Sequence, residues 1–342
     1  MMRVGLIGYG AWGQHHARAL AAAPNARLTC IAARSNGEQA EEDWPDARVT
    51  GDWRSVAEDP SLDAVVVVVP NALHEEVATA ALHAGHHVLL EKPMALTVAG
   101  CDRLIEAAQQ ARRVLSIGHE FRVSEQWGRA KALIEAGEIG VLEHAAITLF
   151  RFPYRTGSGG WRYEGARVGS WILEEPVHFF DLLLWYGSAW GPPLGISALA
   201  AGTPAMPRAL AVSLRFAGDR FANVNTVLGG FEHHVTLHAM GEGGAIRATW
   251  SASMDRSTSP TATLHLVRGR AAPGQVAEPV PFGRSGEVFE LARQAEQVID
   301  GFQQGRPLVS PEEARNAVRC CLLAERSARE QGREIAWNEA VD

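Results

Sequence analysis

Gly8-Tyr9-Gly10-Ala11-Trp12-Gly13 spaces three glycines as G-x-G-x-x-G. The run follows an apolar strand pattern, Arg3–Ile7, and opens a helical one, Trp12–Ala23, ended by Pro24. In that context the spacing is a dinucleotide-binding turn. Gly8 permits the tight turn, Gly10 lets the backbone approach a pyrophosphate, and Gly13 lets helix and strand pack closely. The amides of Ala11 and Trp12 then point at phosphate from the helix N-terminus. The end of the second strand discriminates between dinucleotides. An acidic residue about 20 positions past the motif would bond the adenosine ribose hydroxyls. Here that place is held by Ala33, followed by Arg34 and Ser35. A carboxylate would repel a 2′-phosphate, whereas Arg34 offers a planar charged donor and Ser35 a hydroxyl. NADP(H) is therefore the favoured cofactor. NAD(H) is the alternative, with Arg34 a solvated surface residue.

Strands and helices alternate over the first 120 or so residues. After the glycine turn come strand patterns at Arg27–Ala32, Ala64–Val69, His87–Leu90 and Val114–Ile117. Helical patterns lie between them at His74–Ala84 and Leu96–Ala111. The five consecutive valines after Ala64 suit a strand buried on both faces, as in a parallel sheet. Such βαβ units make a doubly wound α/β domain, expected over 1–122. Beyond it the pattern changes. Val141–Phe150 reads as a strand, Arg151–Arg167 as a loop, and Ser170–Tyr186 as one strongly apolar helix. Strand-like runs with short turns follow at Gly195–Ala201, Ala209–Phe216, Arg220–Leu228, Glu232–Met240, Ala245–Ser251 and Thr261–Val267. Consecutive strands with short turns imply an open, mostly antiparallel sheet. Two amphipathic helices, near Val288–Gln304 and Pro311–Glu330, close an α+β domain over 123–342. The final helix is expected to pack back on the first domain.

Bulk properties exclude several classes. The chain has 342 residues, 46 % hydrophobic and 21 % charged, which suits a globular protein of about two domains. The net charge of −7, with both signs mixed along the chain, argues against nucleic-acid binding. The longest apolar run, Ala64 to Pro70, is too short to span a bilayer, and Met1-Met2-Arg3 leads directly into a strand rather than a signal segment. Cys30, Cys101, Cys320 and Cys321 form no C-x-x-C pair, so a reduced cytoplasm is the expected location. Histidines cluster at His15-His16, His83, His86-His87 and His233-His234 with His238. No cysteine or carboxylate completes a metal-ligand spacing with them, so they read as polar surface or packing and no metal is expected.

The segment from Asp63 through Pro70-Asn71-Ala72-Leu73-His74, followed by His87-Val88-Leu89-Leu90-Glu91-Lys92-Pro93, closely resembles the Gfo/Idh/MocA oxidoreductases. The resemblance continues through Ile117-Gly118-His119-Glu120-Phe121-Arg122, Gly137-Glu138-Ile139-Gly140 and His178-Phe179-Phe180-Asp181, and ends near Ser327. It implies a Rossmann domain joined to a domain with a large open sheet. It also implies dimers or tetramers formed through that sheet, and activity on sugars, cyclitols or related small molecules. Pro70, Asn71 and His74 match positions that line the nicotinamide side. Glu91 and Lys92 match the Glu-Lys-Pro motif, whose lysine lies beside nicotinamide and substrate hydroxyl. An ammonium there orients substrate and stabilises developing negative oxygen. His178 matches the catalytic histidine, and imidazole suits the proton that an alcohol loses on oxidation.

One position departs from the pattern. Many members carry Asp four residues before the histidine, where this chain has Glu174. On one helix, Glu174 and His178 would share a face, and Glu174 would orient or relay for the imidazole. Asp181, one turn on, reads as a structural partner. Trp161 and Arg162 fall where family members approach cofactor and substrate. Arg162 there binds a phosphate, a carboxylate or a sugar hydroxyl, or forms a loop–sheet salt bridge. Arg122 either touches substrate or joins the domains, and Arg151 and Tyr154 are candidates to set substrate choice.

These readings converge on a reversible NADP(H)-linked dehydrogenase of a sugar, sugar acid or cyclitol. Lys92, His178 and Glu174 are its expected catalytic residues. Two alternatives are an enzyme that retains its NAD through an oxidation and re-reduction cycle, and a non-catalytic sensor of dinucleotide or sugar.

Overall fold

The computed structural model describes all residues except Phe231, Arg270, Ala271 and Asp342. The first sheet contains β1 (Met2–Ile7), β2 (Ala26–Ala32), β3 (Arg48–Thr50), β4 (Ala64–Val67), β5 (His87–Glu91) and β6 (Leu115–Gly118). All pairs are parallel, in the order β3-β2-β1-β4-β5-β6. Helices α1 (Ala11–Ala22), α2 (Gly37–Asp43), α3 (Arg54–Ala57), α4 (His74–His83) and α5 (Val98–Ala111) join the strands. Val65, Val66 and Val67 of β4 are essentially inaccessible because helices cover both faces of the sheet. Thr97 caps α5 by accepting from the Gly100 amide at 2.9 Å. The strand order reverses between β1 and β4, which opens a crevice at their C-terminal ends, where such sheets bind ligands.

The rest of the chain contains α6 (Trp127–Glu135), β7 (Leu142–Phe150), α7 (Gly165–Val168), α8 (Trp171–Glu174) and α9 (Pro176–Tyr186). The strands β8 (Gly195–Gly202), β9 (Pro207–Arg215), β10 (Phe221–Val227), β11 (His233–Gly241), β12 (Gly244–Ala252), β13 (Thr261–Arg268) and β14 (Glu278–Pro279) follow. Then come α10 (Glu287–Gln303), α11 (Pro311–Arg329) and β15 (Ile335–Ala336). The second sheet runs β14-β13-β12-β11-β7-β10-β9-β8-β15, antiparallel throughout except for the parallel pair β7–β10. Its strands alternate as a half-covered sheet must. In β9, Leu210, Val212 and Leu214 are buried while their neighbours face out. The covered face packs on α6, α9 and α11. The open face exposes Leu199, Phe221 and Met240. Helix α10 returns to the first sheet, where Leu291, Val298 and Phe302 join Val4, Leu6 and Leu20 in one core. Among the described residues, no helix is long and apolar enough to cross a membrane.

The single helix expected over Ser170–Tyr186 is two helices. Glu175 adopts φ −133° and ψ −47°, outside the helical region, and Pro176 restarts the helix. Proline has no amide to donate backward, so the break falls naturally before it. Glu174 and His178 therefore do not share a continuous helical face. The region expected as a loop, Arg151–Arg167, contains 3₁₀-type turns over Ser158–Tyr163, interrupted by Gly159 and Gly160 at positive φ, and the start of α7.

Candidate functional site

The C-terminal ends of the parallel strands carry the groups that matter. β1 leads into the glycine turn, β4 toward Pro70 and Asn71, β5 into Glu91 and Lys92, and β6 into His119 and Glu120. The three glycines differ physically. Gly8 has φ +103°, and a Cβ there would lie 2.0 Å from the Val68 carbonyl oxygen. A Cβ on Gly13 would lie 1.9 Å from the Gly8 carbonyl oxygen. A Cβ on Gly10 would meet nothing within 4 Å, so the space over the turn is open. Gly10 starts α1 with no side-chain cap, leaving the first-turn amides, those of Ala11 and Trp12 included, to an external acceptor. This cradle fits a dinucleotide pyrophosphate. The Arg256 guanidinium, between β12 and β13, lies 4.8 Å from the Trp12 ring centroid. Its Nε is buried with no hydrogen-bond partner among the described residues. Sequence reading missed Arg256, which is distant in the chain and belongs to no motif. Past β2, Ala33 is buried while Arg34 and Ser35 are exposed.

Glu91 and Lys92 face different partners. Glu91 is buried and bonds His16 Nε2 through Oε1 at 2.8 Å. Burial pushes its carboxyl up, but the hydrogen bond and charge of His16, with Lys92, bring it below the ordinary range. His16 thus anchors the strand end from α1. Nothing in its local sequence distinguishes it from a packing histidine. The Lys92 ammonium donates to the backbone carbonyl of Glu174. The Glu174 carboxylate goes elsewhere, accepting from Arg162 Nε at 2.5 Å and Asn71 Nδ2 at 3.2 Å. Burial raises its pKa, yet Lys92 and Arg162 hold it below the ordinary value.

His178 does not meet Glu174. Its Nε2 lies 3.8 Å from Glu120 Oε1, and its ring lies over Phe121, with centroids 4.8 Å apart. His119 packs edge-on to it at 5.5 Å. Burial, then the positive charge of Lys92, then His119, lowers the His178 pKa well below its ordinary value, so the imidazole rests neutral. Burial and the neighbouring carboxylates Glu91 and Glu287 raise Glu120 well above its own. The expectation that Glu174 orients the histidine is corrected by the break at Glu175, which turns the Glu174 side chain toward Arg162. Glu120 was invisible to spacing because 58 positions separate it from His178.

Other candidates have committed partners. Arg122 reaches Asp181 through Nε and Nη2 at 2.9 and 2.7 Å, and Glu313 through Nη1 at 2.7 Å. With its fork occupied, it joins β6 to α9 and α11 rather than offering a substrate contact. Asp181 is the structural partner expected. Tyr154 is buried against Val168, Trp171 and Leu228, with its hydroxyl 3.5 Å from the Trp171 carbonyl. It is a packing residue, and burial raises its pKa well above the ordinary value. Arg151 pairs with Glu175 and lies over the Tyr154 ring. His74 is buried, bonding the carbonyls of Pro93 at 2.6 Å and Val69 at 2.9 Å. A neutral ring donates to only one of these two carbonyls at a time, and the side chain bridges the loops after β4 and β5. Arg162 lies over the Trp161 ring, with its carbon 4.6 Å from the centroid. Pro70 and Trp161 remain half-buried at the rim.

Comparison with known proteins agrees with this geometry. A family model described as oxidoreductase family, NAD-binding Rossmann fold, matches residues 2–119, and the GFO/IDH/MocA C-terminal domain model matches residues 127–247. Inositol 2-dehydrogenase of Acidothermus cellulolyticus is 31 % identical over 255 residues, 72 % of this chain and 72 % of that protein. The scyllo-inositol 2-dehydrogenase (NADP(+)) of Bacillus subtilis is 28 % identical over 188 residues, 53 % of this chain and 52 % of that protein. For several curated relatives, including that one, the match spans about half of their length. The structure of levoglucosan dehydrogenase in complex with NADH has a TM-score of 0.86 at 21 % identity, over 99 % of this chain and 100 % of that one. That likeness establishes the fold. Two family models spanning most of the chain, with a relative matched over 72 % of its length, make the conclusion plain: the chain belongs to the Gfo/Idh/MocA family of NAD-binding oxidoreductases.

Proposed function

We propose that this protein is a dehydrogenase that oxidises a hydroxyl-bearing carbon of a sugar, sugar acid or cyclitol, reversibly and with NADP(H) preferred. The observation that carries the reading is the electrostatic coupling of Lys92, at the end of a parallel strand of the glycine-turn sheet, to a buried His178 whose pKa burial and that lysine hold well below its ordinary value. A bound nicotinamide supplies the hydride acceptor. The chain supplies the rest. The Lys92 ammonium, held on the Glu174 carbonyl, keeps donors free to orient a substrate hydroxyl and stabilise negative oxygen. His178 takes the hydroxyl proton, for which a neutral imidazole is the required form. The first-turn amides of α1 hold the pyrophosphate, and Arg256 closes over it from the second sheet. Arg34 and Ser35 face the 2′-phosphate.

The named activities of relatives on inositol, scyllo-inositol and levoglucosan support a polyol or sugar substrate. The exposed Leu199, Phe221 and Met240 support a homodimer or homotetramer through the open face. Four buried, unpaired cysteines support a cytoplasmic location. The test is a polyol and sugar panel run with NAD and with NADP, following reduction by absorbance. Turnover of at least one cyclitol or sugar, faster with NADP, is expected. No turnover anywhere in the panel, despite tight cofactor binding, would sink the reading.

A further inference from the structure

Three of the buried carboxylates around Lys92 and His178 have donors. Glu91 accepts from His16, Glu174 from Arg162 and Asn71, and Asp181 from Arg122. Glu120 is 2 % exposed, and its Oε2 has no hydrogen-bond partner among the described residues. Leaving a buried polar group unmatched is costly, so such a group marks a place where something else binds or titrates. Its Oε1 stands 3.8 Å from His178 Nε2, too far to bond it directly and close enough for one hydroxyl oxygen to bridge both. His178 has a matching deficit, since its Nδ1 is buried without a hydrogen-bond partner among the described residues.

We propose that Glu120 and His178 form one acid–base pair that takes the proton of the substrate hydroxyl. The inference rests on the dehydrogenase reading above. In oxidation the carbinol C–H pair leaves as hydride to the oxidised nicotinamide, the O–H proton goes to the pair, and the C–O bond becomes C=O. A lone imidazolium beside the Lys92 ammonium would be a buried charge next to a like charge. The Glu120 carboxylate supplies the counter-charge.

The charged and titratable groups acting on the pair are Glu91 from β5, Lys92 just after it, His119 after β6 and Glu287 from α10, with Asp181 from α9 acting on His119. Burial, Glu91 and Glu287 move Glu120 up, while burial, Lys92 and His119 move His178 down. The carboxyl and the imidazole are thus shifted in opposite directions, and two titratable groups this close titrate as a pair.

The test compares Glu120→Gln with Glu174→Gln. Imidazole nitrogen NMR of the ligand-free protein reads the pair without any turnover. In the wild type the His178 signal should titrate in two coupled steps, and in Glu120→Gln in a single step at lower pH. An identical His178 titration in both proteins would overturn the proposal. In turnover, Glu120→Gln should lose about 100-fold in kcat, with its acid limb moved to lower pH and cofactor Kd unchanged. Glu174→Gln should leave that limb in place, and a limb that moves equally in both variants also counts against the pair. Glu120→Asp keeps the charge but withdraws it, so an intermediate displacement is expected. If the wild type turned over nothing in the panel, the dehydrogenase reading would fail while the NMR titration still decided the pairing.

Discussion

Lys92 donates to the backbone carbonyl of Glu174, while the Glu174 carboxylate turns away to Arg162 and Asn71. The lysine is therefore positioned by the chain path through α8, not by the side chain at position 174. Lys92→Ala should lower kcat about 10²–10³-fold by removing a donor to developing negative oxygen. Cofactor affinity should hold, because the phosphate cradle lies at α1. Glu174→Gln leaves the carbonyl in place and costs Arg162 its charged partner, so its kcat should fall far less. Steady-state kinetics and nucleotide fluorescence titrations on the two variants check this. Equal losses in kcat would mean that the Glu174 carboxylate acts in the chemistry after all.

Arg34 stands exposed beyond the buried Ala33 at the end of β2, where no carboxylate opposes a 2′-phosphate. A charge-assisted hydrogen bond is worth roughly 1.5–3 kcal/mol. Arg34→Ala should therefore lower the ratio of kcat/KM for NADP to that for NAD by roughly 10–100-fold, with the NAD value little changed. An unchanged ratio would make Arg34 an ordinary solvated residue.

The parts of this molecule legible in its sequence are those fixed by local rules. The valines of β4 announce a strand buried on both faces, and the glycine turn announces its own geometry, because each needs only its neighbours. The break at Glu175 was less legible. Pro176 permits it, but a proline in the first turn of a helix is equally ordinary. The short elements α2, β3 and α3 carry too few residues for a periodic signal. The partners of the site residues were hidden for a different reason. Glu120 and His178, Arg122 and Asp181, and Arg256 and Trp12 meet only through the fold. Tyr154 looked like a loop residue because its burial depends on Trp171 and Leu228 closing over it.

The Arg122–Asp181 pair gives a pH-dependent stability with a definite sign. Burial raises the Asp181 pKa, but Arg122 and then His119 more than offset this, leaving it below the ordinary carboxylate value. A depressed carboxyl contributes stability that is present above its unfolded pKa, about 3.9, and is lost as pH falls through the folded value. Asp181→Asn leaves Arg122 buried with, among the described residues, only Glu313 as a charged partner, and should cost about 3–5 kcal/mol at neutral pH. Urea unfolding of both proteins should show that gap at pH 7 and a narrowing gap below about pH 4. A gap that stays constant with pH would mean that the carboxylate charge contributes nothing.

The glycine turn separates folding from binding. At Gly13, an added Cβ would lie 1.9 Å from the Gly8 carbonyl oxygen, which is backbone and cannot rotate away. Gly13→Ala should therefore force α1 off β1, costing about 1–3 kcal/mol of stability and weakening cofactor binding with it. Gly10 has φ −74° and ψ −174°, a conformation open to alanine, and its Cβ would meet nothing within 4 Å. Gly10→Ala should thus unfold within about 0.5 kcal/mol of the wild type. Its methyl group would project into the space where a pyrophosphate must approach the backbone, so nucleotide Kd should rise at least about 10-fold. Urea unfolding paired with nucleotide titration distinguishes the two substitutions. Wild-type affinity in Gly10→Ala would mean that the dinucleotide does not lie over this turn, and the assignment of the amides of Ala11 and Trp12 would fall with it.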